Sequence, residues 1–178
     1  VTFQLAFNGR RKAKPKPTKS LPKLLEHRVR YFEVNEHHIC ELQLPIVVHA
    51  ENANGARFND FSKAKNARRQ LDTVLLALQT QLRGIDRERI DQITLVRFSP
   101  GRLDAHDNLR QSFKHVLDAV CVWIVCGSED FNRRAIGKYD DQLLGTGKVT
   151  CQYEQATHET DRRLQGIQIR LRLSSASR

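Results

Sequence analysis

The chain contains no methionine, position 1 included. The expectation drawn from this is that Val1 stands where an alternative start codon was read literally, or that the N-terminus has been trimmed. No run of about 18 apolar residues exists, which excludes a membrane-spanning helix of ordinary length. The apolar opening "VTFQLAF" is short and precedes its basic residues, the reverse of a secretory leader. Cysteine is scarce: Cys40, Cys121, Cys126 and Cys151, none in a C-x-x-C pair. Each sits in an apolar or strand-like run, so a reduced, cytoplasmic setting is expected. His37 and His38 stand beside Cys40 in "EHHIC", yet no second ligand pair follows at zinc-site spacing, and zinc is not expected there. No internal repeat is visible.

What is present is one domain's worth of chain. The 178 residues with 39% hydrophobic content suit a single core carrying a tail. The formal charge is +10, and its location matters more than its size. From Arg10 to Lys23 the chain reads "RRKAKPKPTKSLPK", with seven Lys or Arg and no acid. Subtracting that +7 from +10 leaves +3 for everything else. Alternating Lys and Pro cannot form a regular helix, so this arm is expected to be extended. Block charge of one sign favours polyanions, which makes Arg10, Arg11, Lys12, Lys14, Lys16 and Lys19 candidate nucleic-acid contacts. A solvated tail is the alternative.

Periodicity gives the rest of the organisation. "LLEHRVRYFEV" is ambiguous between helix and strand. His38 to Ala50 reads as a strand with a bend or edge at Pro45. A helix is expected over about Asp60 to Leu82, where Phe61, Ala64, Ala67, Leu71, Val74, Leu75, Leu78 and Leu82 recur at three and four. Its other face carries Lys63, Lys65, Arg68 and Arg69, read as an ordinary solvated face. Asp91 to Pro100 is a strand. Asp107 or Asn108 then caps a helix whose apolar stripe runs Leu109, Phe113, Val116, Leu117, Val120, Trp123 and Ile124. "GSEDFNRRAIGKYDDQLLGTG" reads as a polar connection. Lys148 to Gln155 and Leu164 to Leu173 are the last strands, expected to pair as a hairpin across "ATHETDRR". The order is strand, helix, strand, helix, strand, strand: a compact α/β domain with a mixed sheet. The expected division is an extension over residues 1–37, with the arm at 10–23, and a main domain over 38–178.

The chemistry concentrates in "GRLDAHDNLRQSFKHVLDAV", Gly101 to Val120. Asp104 and Asp107 leave a strand-to-helix turn near the carboxyl end of the strand, where open α/β sheets tend to place their sites. Two carboxylates so close repel unless a cation lies between them, and Mg²⁺ takes one or two carboxylates with water and phosphate oxygens. Asp141, with Asp140 beside it in "KYDDQ", is the third candidate. Such a set could activate water and offset charge on a phosphodiester. Lys114 and Asp118 are four apart on one helix face. A surface ion pair is one reading; a lysine reaching toward a scissile phosphate is the other. Asn108 could bond the backbone or orient a metal ligand. His106 and His115 are further acid/base candidates, and His158 and Cys121 have no assigned partner.

Together, "GRLDAHDNLRQSFKHVLDAV…W", "YDDQ" and "CQYEQ" resemble the RusA-type Holliday junction resolvases of phages and prophages. The shared pieces are Asp107-Asn108-Leu109, Lys114 with Asp118, Asp140-Asp141, and Gln155 at the end of a strand. The resemblance spans roughly His38 to Leu173, and its specific part runs from Leu103 to Gln155. It implies a homodimeric endodeoxyribonuclease, dependent on Mg²⁺ or Mn²⁺, that cuts branched DNA in recombination and repair. The setting it implies is the cytoplasm of a bacterial host, with no membrane or small-molecule cofactor. Asp104, Asp107 and Asp141 would be metal-binding and catalytic, with Asp140 alongside, and Lys114 would assist at the phosphate. Three features differ from the family pattern. Ala105 stands where the pattern has an aspartate, Asp104 lying one residue earlier. Lys114 lies further from the Asp-Asn pair than in the prototype, and the Trp123–Tyr139 segment is longer, which makes Asp130 in "SEDF" a rival to Asp141, though the step from Asp-Asp to the "YEQ" strand fits the family better with Asp141. The Ala105 position motivates the alternative, a nuclease-inactive relative that binds DNA or RNA junctions. Trp123 and the Leu143-Leu144 segment are candidate dimer contacts.

Overall fold

A computed structural model describes residues 23–48, 60–101, 103, 108–127, 136–159 and 161–174. Six strands form one sheet: β1 (Lys23–Leu24), β2 (Arg28–Val34), β3 (His37–Leu44), β4 (Ile90–Phe98), β5 (Thr150–Ala156) and β6 (Leu164–Leu173). The order is β2-β3-β6-β4-β5, with β1 beside the start of β6. Four α-helices are described: α1 (Asp60–Gln81), α2 (Asn108–Ser112), α3 (Lys114–Cys126) and α4 (Ile136–Leu144). The α/β class and mixed sheet are as the sequence implies. The ambiguous stretch before His37 becomes β1 and β2, so the sheet already begins at Lys23.

The last two strands do not form a hairpin. β5 runs parallel to β4, while β6 lies between β3 and β4, antiparallel to both. The cause is burial. In β6, Ile167, Ile169, Leu171 and Leu173 all point into the core. A strand with that much apolar surface is more stable in the centre of the sheet than at its edge. β5 has only half-buried and exposed positions and takes the edge. Gly166 marks a close approach: a Cβ there would lie 2.7 Å from both the Leu44 carbonyl oxygen and Leu25 Cδ1.

The helices cover one face. Leu71, Val74, Leu75 and Leu78 of α1 and Val116, Val120 and Trp123 of α3 close over Cys40, Leu42, Ile93, Leu95, Ile169 and Leu171. The single helix expected after a cap at Asp107 or Asn108, with its stripe from Leu109 to Ile124, is broken at Phe113, whose ring is fully buried 6.1 Å from that of Tyr153. Filling that position turns the chain between α2 and α3. Gly127 ends α3 with φ +68, its N–H donating to Trp123 O at 2.9 Å. The segment read as a polar connection contains α4, which rests on α3 through Leu143. Trp123 and Leu143 are buried in the core, and Leu144 is half-buried. The opposite sheet face has no helix over it among the described residues. It carries an ion-pair ladder, Glu41–Arg170–Glu154, with N–O distances of 3.3 and 3.5 Å.

Candidate functional site

The carboxyl ends of the parallel strands β4 and β5 stop together, Arg97 facing Gln155 and Phe98 facing Ala156. The loop that follows β4 leads through Gly101 and Leu103 to Asn108, the first residue of α2. Gln155 holds this loop at two points. Its Oε1 accepts from Leu103 N–H at 2.9 Å and its Nε2 donates to Leu103 O at 2.7 Å. The side-chain amide therefore acts on Leu103 as a neighbouring strand's peptide group would. Leu103 directly precedes Asp104.

Arg97 adds a second anchor, which the sequence reading missed. Its side chain is almost fully buried, Nη1 donating to Gly101 O at 2.8 Å and Nε to Val48 O at 3.4 Å. Burial lowers its pKa from the usual arginine value. The available signal was a lone cation inside the apolar strand "ITLVRF". Arg97 thus joins the end of β4, the stretch after β3 and the loop carrying the acidic motif.

Asp104, His106 and Asp107 lie outside the described residues, as do Asp130 and the cations Arg10, Arg11, Lys12, Lys14, Lys16 and Lys19. The motif's flanks are placed. Asn108 is half-buried at the start of α2 and Lys114 is exposed at the start of α3. Asp118 is buried one turn on, and the His115 Nδ1 lies 3.6 Å from its carboxylate. Among the described residues it is His115, and not Lys114, that pairs with Asp118.

The Asp140-Asp141 pair sits on α4 and divides by exposure. Asp141 is exposed, its N–H bonded to Asp140 Oδ1 at 3.0 Å. Asp140 is half-buried and close enough to Cys121 to act on its thiol. Burial pushes the Cys121 pKa up most, and the charges of Asp140, Cys151 and Asp118 push it further. Cys151 is likewise raised by burial. Tyr153 is raised by burial and by Cys151, against an opposing hydrogen bond from Arg110. α2, α3, α4 and β5 therefore converge on one polar cluster containing Arg110, Asp118, Asp140, Cys121, Cys151 and Tyr153. Burial thus disfavours the thiolate form of both cysteines. The oxygen donors of the aspartates suit a hard cation. Among the described residues no group of three His, Cys, Asp or Glu is arranged to hold a metal ion.

Comparison with known proteins adds little. No family model matches the chain, and no curated relative matches it. A solved crystal structure, of a "putative translation initiation inhibitor" from Salmonella typhimurium, aligns over 84% of this chain and 100% of its own at 13% identity. Its TM-score of 0.22 is too low to relate either fold or function.

Proposed function

We propose that the chain is a metal-dependent endonuclease acting on four-way DNA junctions, of the RusA type that its motif resembles. The observation that supports this most is the clamp at the sheet's carboxyl end. Gln155 and Arg97 together fix Leu103 and Gly101, the residues leading into Asp104-Ala105-His106-Asp107. Carboxylates that share a cation need a rigid base, and this base is built from the residues that carry the resemblance, with Arg97 added. Asp104 and Asp107 supply two carboxylates and the Asp140-Asp141 pair a third. Such a set fits Mg²⁺ or Mn²⁺ by its hard oxygen donors. The bound ion would supply charge stabilisation at the phosphodiester and a more acidic water. Lys114, exposed at the start of α3, is the cation for the phosphate, and branched DNA bound by a homodimer is the substrate.

The Ala105 position favours a second reading, a junction-binding relative without cleavage. Calorimetric titration with Mg²⁺ separates the two. Heat of binding at a site abolished by Asp107→Asn supports the nuclease. Junction binding that persists with no detectable Mg²⁺ heat in the wild-type chain supports the binding module.

A further inference from the structure

The first half of α1 is placed unlike the rest of the helix. From Ala64 onward, where burial is described, Leu71 is the first buried residue; Ala64, Lys65, Asn66, Arg68 and Arg69 are exposed, and Ala67 and Gln70 only half-buried. Gln70 Nε2 donates to Val47 O at 3.3 Å, and Val47 already lies beyond the end of β3. The part of the helix from Asp60 to Gln70, about 15 Å at 1.5 Å per residue, therefore precedes the turn of α1 that meets Val47. That turn lies at the end where Arg97 ties Val48 to Gly101, the end that carries the acidic loop. Among the described residues, the turns from Ala64 to Gln70 bury little apolar surface, so they are held largely by continuity with the second half of the helix.

Its charge points to the occupant. Lys65, Arg68 and Arg69 recur at i, i+3 and i+4 and share one face, opposite the Ala67–Leu71–Val74 stripe. No acid lies between Ala64 and Leu71, and Asp72, one turn further on, is half-buried and already engaged. We infer that this face of α1 binds the phosphate backbone of a duplex DNA arm. The inference rests on the proposed nuclease reading and deepens it: α1 would hold the arm at the sheet end from which the chain runs through Gly101 and Leu103 toward the acidic motif. Three phosphate contacts release about 0.9 counterion each, so binding should carry a salt slope about 2.7 steeper than without them.

The test is fluorescence anisotropy of a labelled four-way junction, without divalent ions, over a series of salt concentrations. Wild type is compared with the triple variant Lys65→Gln, Arg68→Gln, Arg69→Gln and with the charge-preserving Lys65→Arg, Arg68→Lys, Arg69→Lys. Circular dichroism verifies equal helix content. The expected result is a slope lower by about 2.7 in the neutral variant, so that its affinity changes about 40-fold less than the wild type's between 50 and 200 mM salt. The charge-preserving variant should keep the wild-type slope. Wild-type binding with an unchanged slope in the neutral variant overturns the α1 assignment and leaves the nuclease reading standing. A wild-type chain that does not bind the junction overturns both.

Discussion

Replacing Gln155 with leucine removes the clamp on Leu103 while keeping a similar volume. Two hydrogen bonds disappear, at 2.9 and 2.7 Å, and both polar groups of Leu103 lose their partner. At about 0.5–1.5 kcal/mol net for each bond, the loop loses about 1–3 kcal/mol of local stability. Leu103 is half-buried, so water replaces the lost bonds in part and the cost stays in this range. The direct readout is hydrogen exchange at the Leu103 amide, which donates to Gln155 Oε1. At 1.4 kcal/mol per factor of ten, its exchange should accelerate about 5- to 150-fold, while amides in the middle of β4 and β6 stay protected. Gln155→Glu should fall between the two proteins: it keeps an acceptor for Leu103 N–H but sets a carboxylate oxygen against Leu103 O. If the Leu103 amide in Gln155→Leu exchanges within twofold of wild type, the clamp does not hold the loop. The reasoning that builds the site on it then fails.

Other perturbations test the frame. Phe113→Ala empties the fully buried position between α2 and α3 and should cost about 3–5 kcal/mol in urea unfolding. Gly166→Ala drives a Cβ against the Leu44 carbonyl and Leu25, and should lower the melting temperature more than alanine at exposed Gly84, where nothing lies within 4 Å. Arg97→Ala strips charge-assisted bonds from Val48 O and Gly101 O and should cost about 1.5–3 kcal/mol per bond at most, read from the same urea midpoints. Burial raises the Cys40 thiol from the ordinary range to about 11. A folded-state pKa above the unfolded one means that stability is complete below the unfolded value of about 8.5 and declines as pH climbs toward 11. Urea midpoints should therefore fall between pH 8.5 and 11, and Cys40→Ala should flatten that part of the profile.

The pattern of α1 was readable because its apolar residues keep a 3.6 period over many turns, and Asp60 as its start and Gln81 as its end lie within a residue of the expectation. β6 was readable from its strict alternation of Ile and Leu with Gln and Arg. Its partner was not. A short polar link such as "ATHETDRR" suits a hairpin, and only the competition for the sheet's centre puts β6 between β3 and β4. α4 was obscured by the polar look of "GKYDDQ", although Ile136, Tyr139 and Leu143 stand at i, i+3 and i+7, a helical spacing. The break at Phe113 carries no local signal, because an apolar residue there also fits an unbroken stripe. At the site, the sequence named Gln155 without a task, and the structure supplies one in its bonds to Leu103. Asp118, for which a surface pair with Lys114 was one reading, is buried and pairs with His115 three residues before it on the same helix, a spacing that suits a helical pair as well as Lys114's does.

The central claim is that the acidic loop and α4 together form a metal-dependent junction nuclease. The most direct measurement is cleavage of a synthetic four-way DNA junction with Mg²⁺, the nicks mapped on denaturing gels for wild type, Asp107→Asn, Asp140→Asn and Asp141→Asn. The account predicts paired nicks placed symmetrically in opposite strands by the wild-type chain. It predicts their loss in Asp107→Asn and in at least one of the two α4 variants. Cleavage that persists undiminished in Asp107→Asn, or a wild-type chain that binds the junction and never nicks it, would contradict the account.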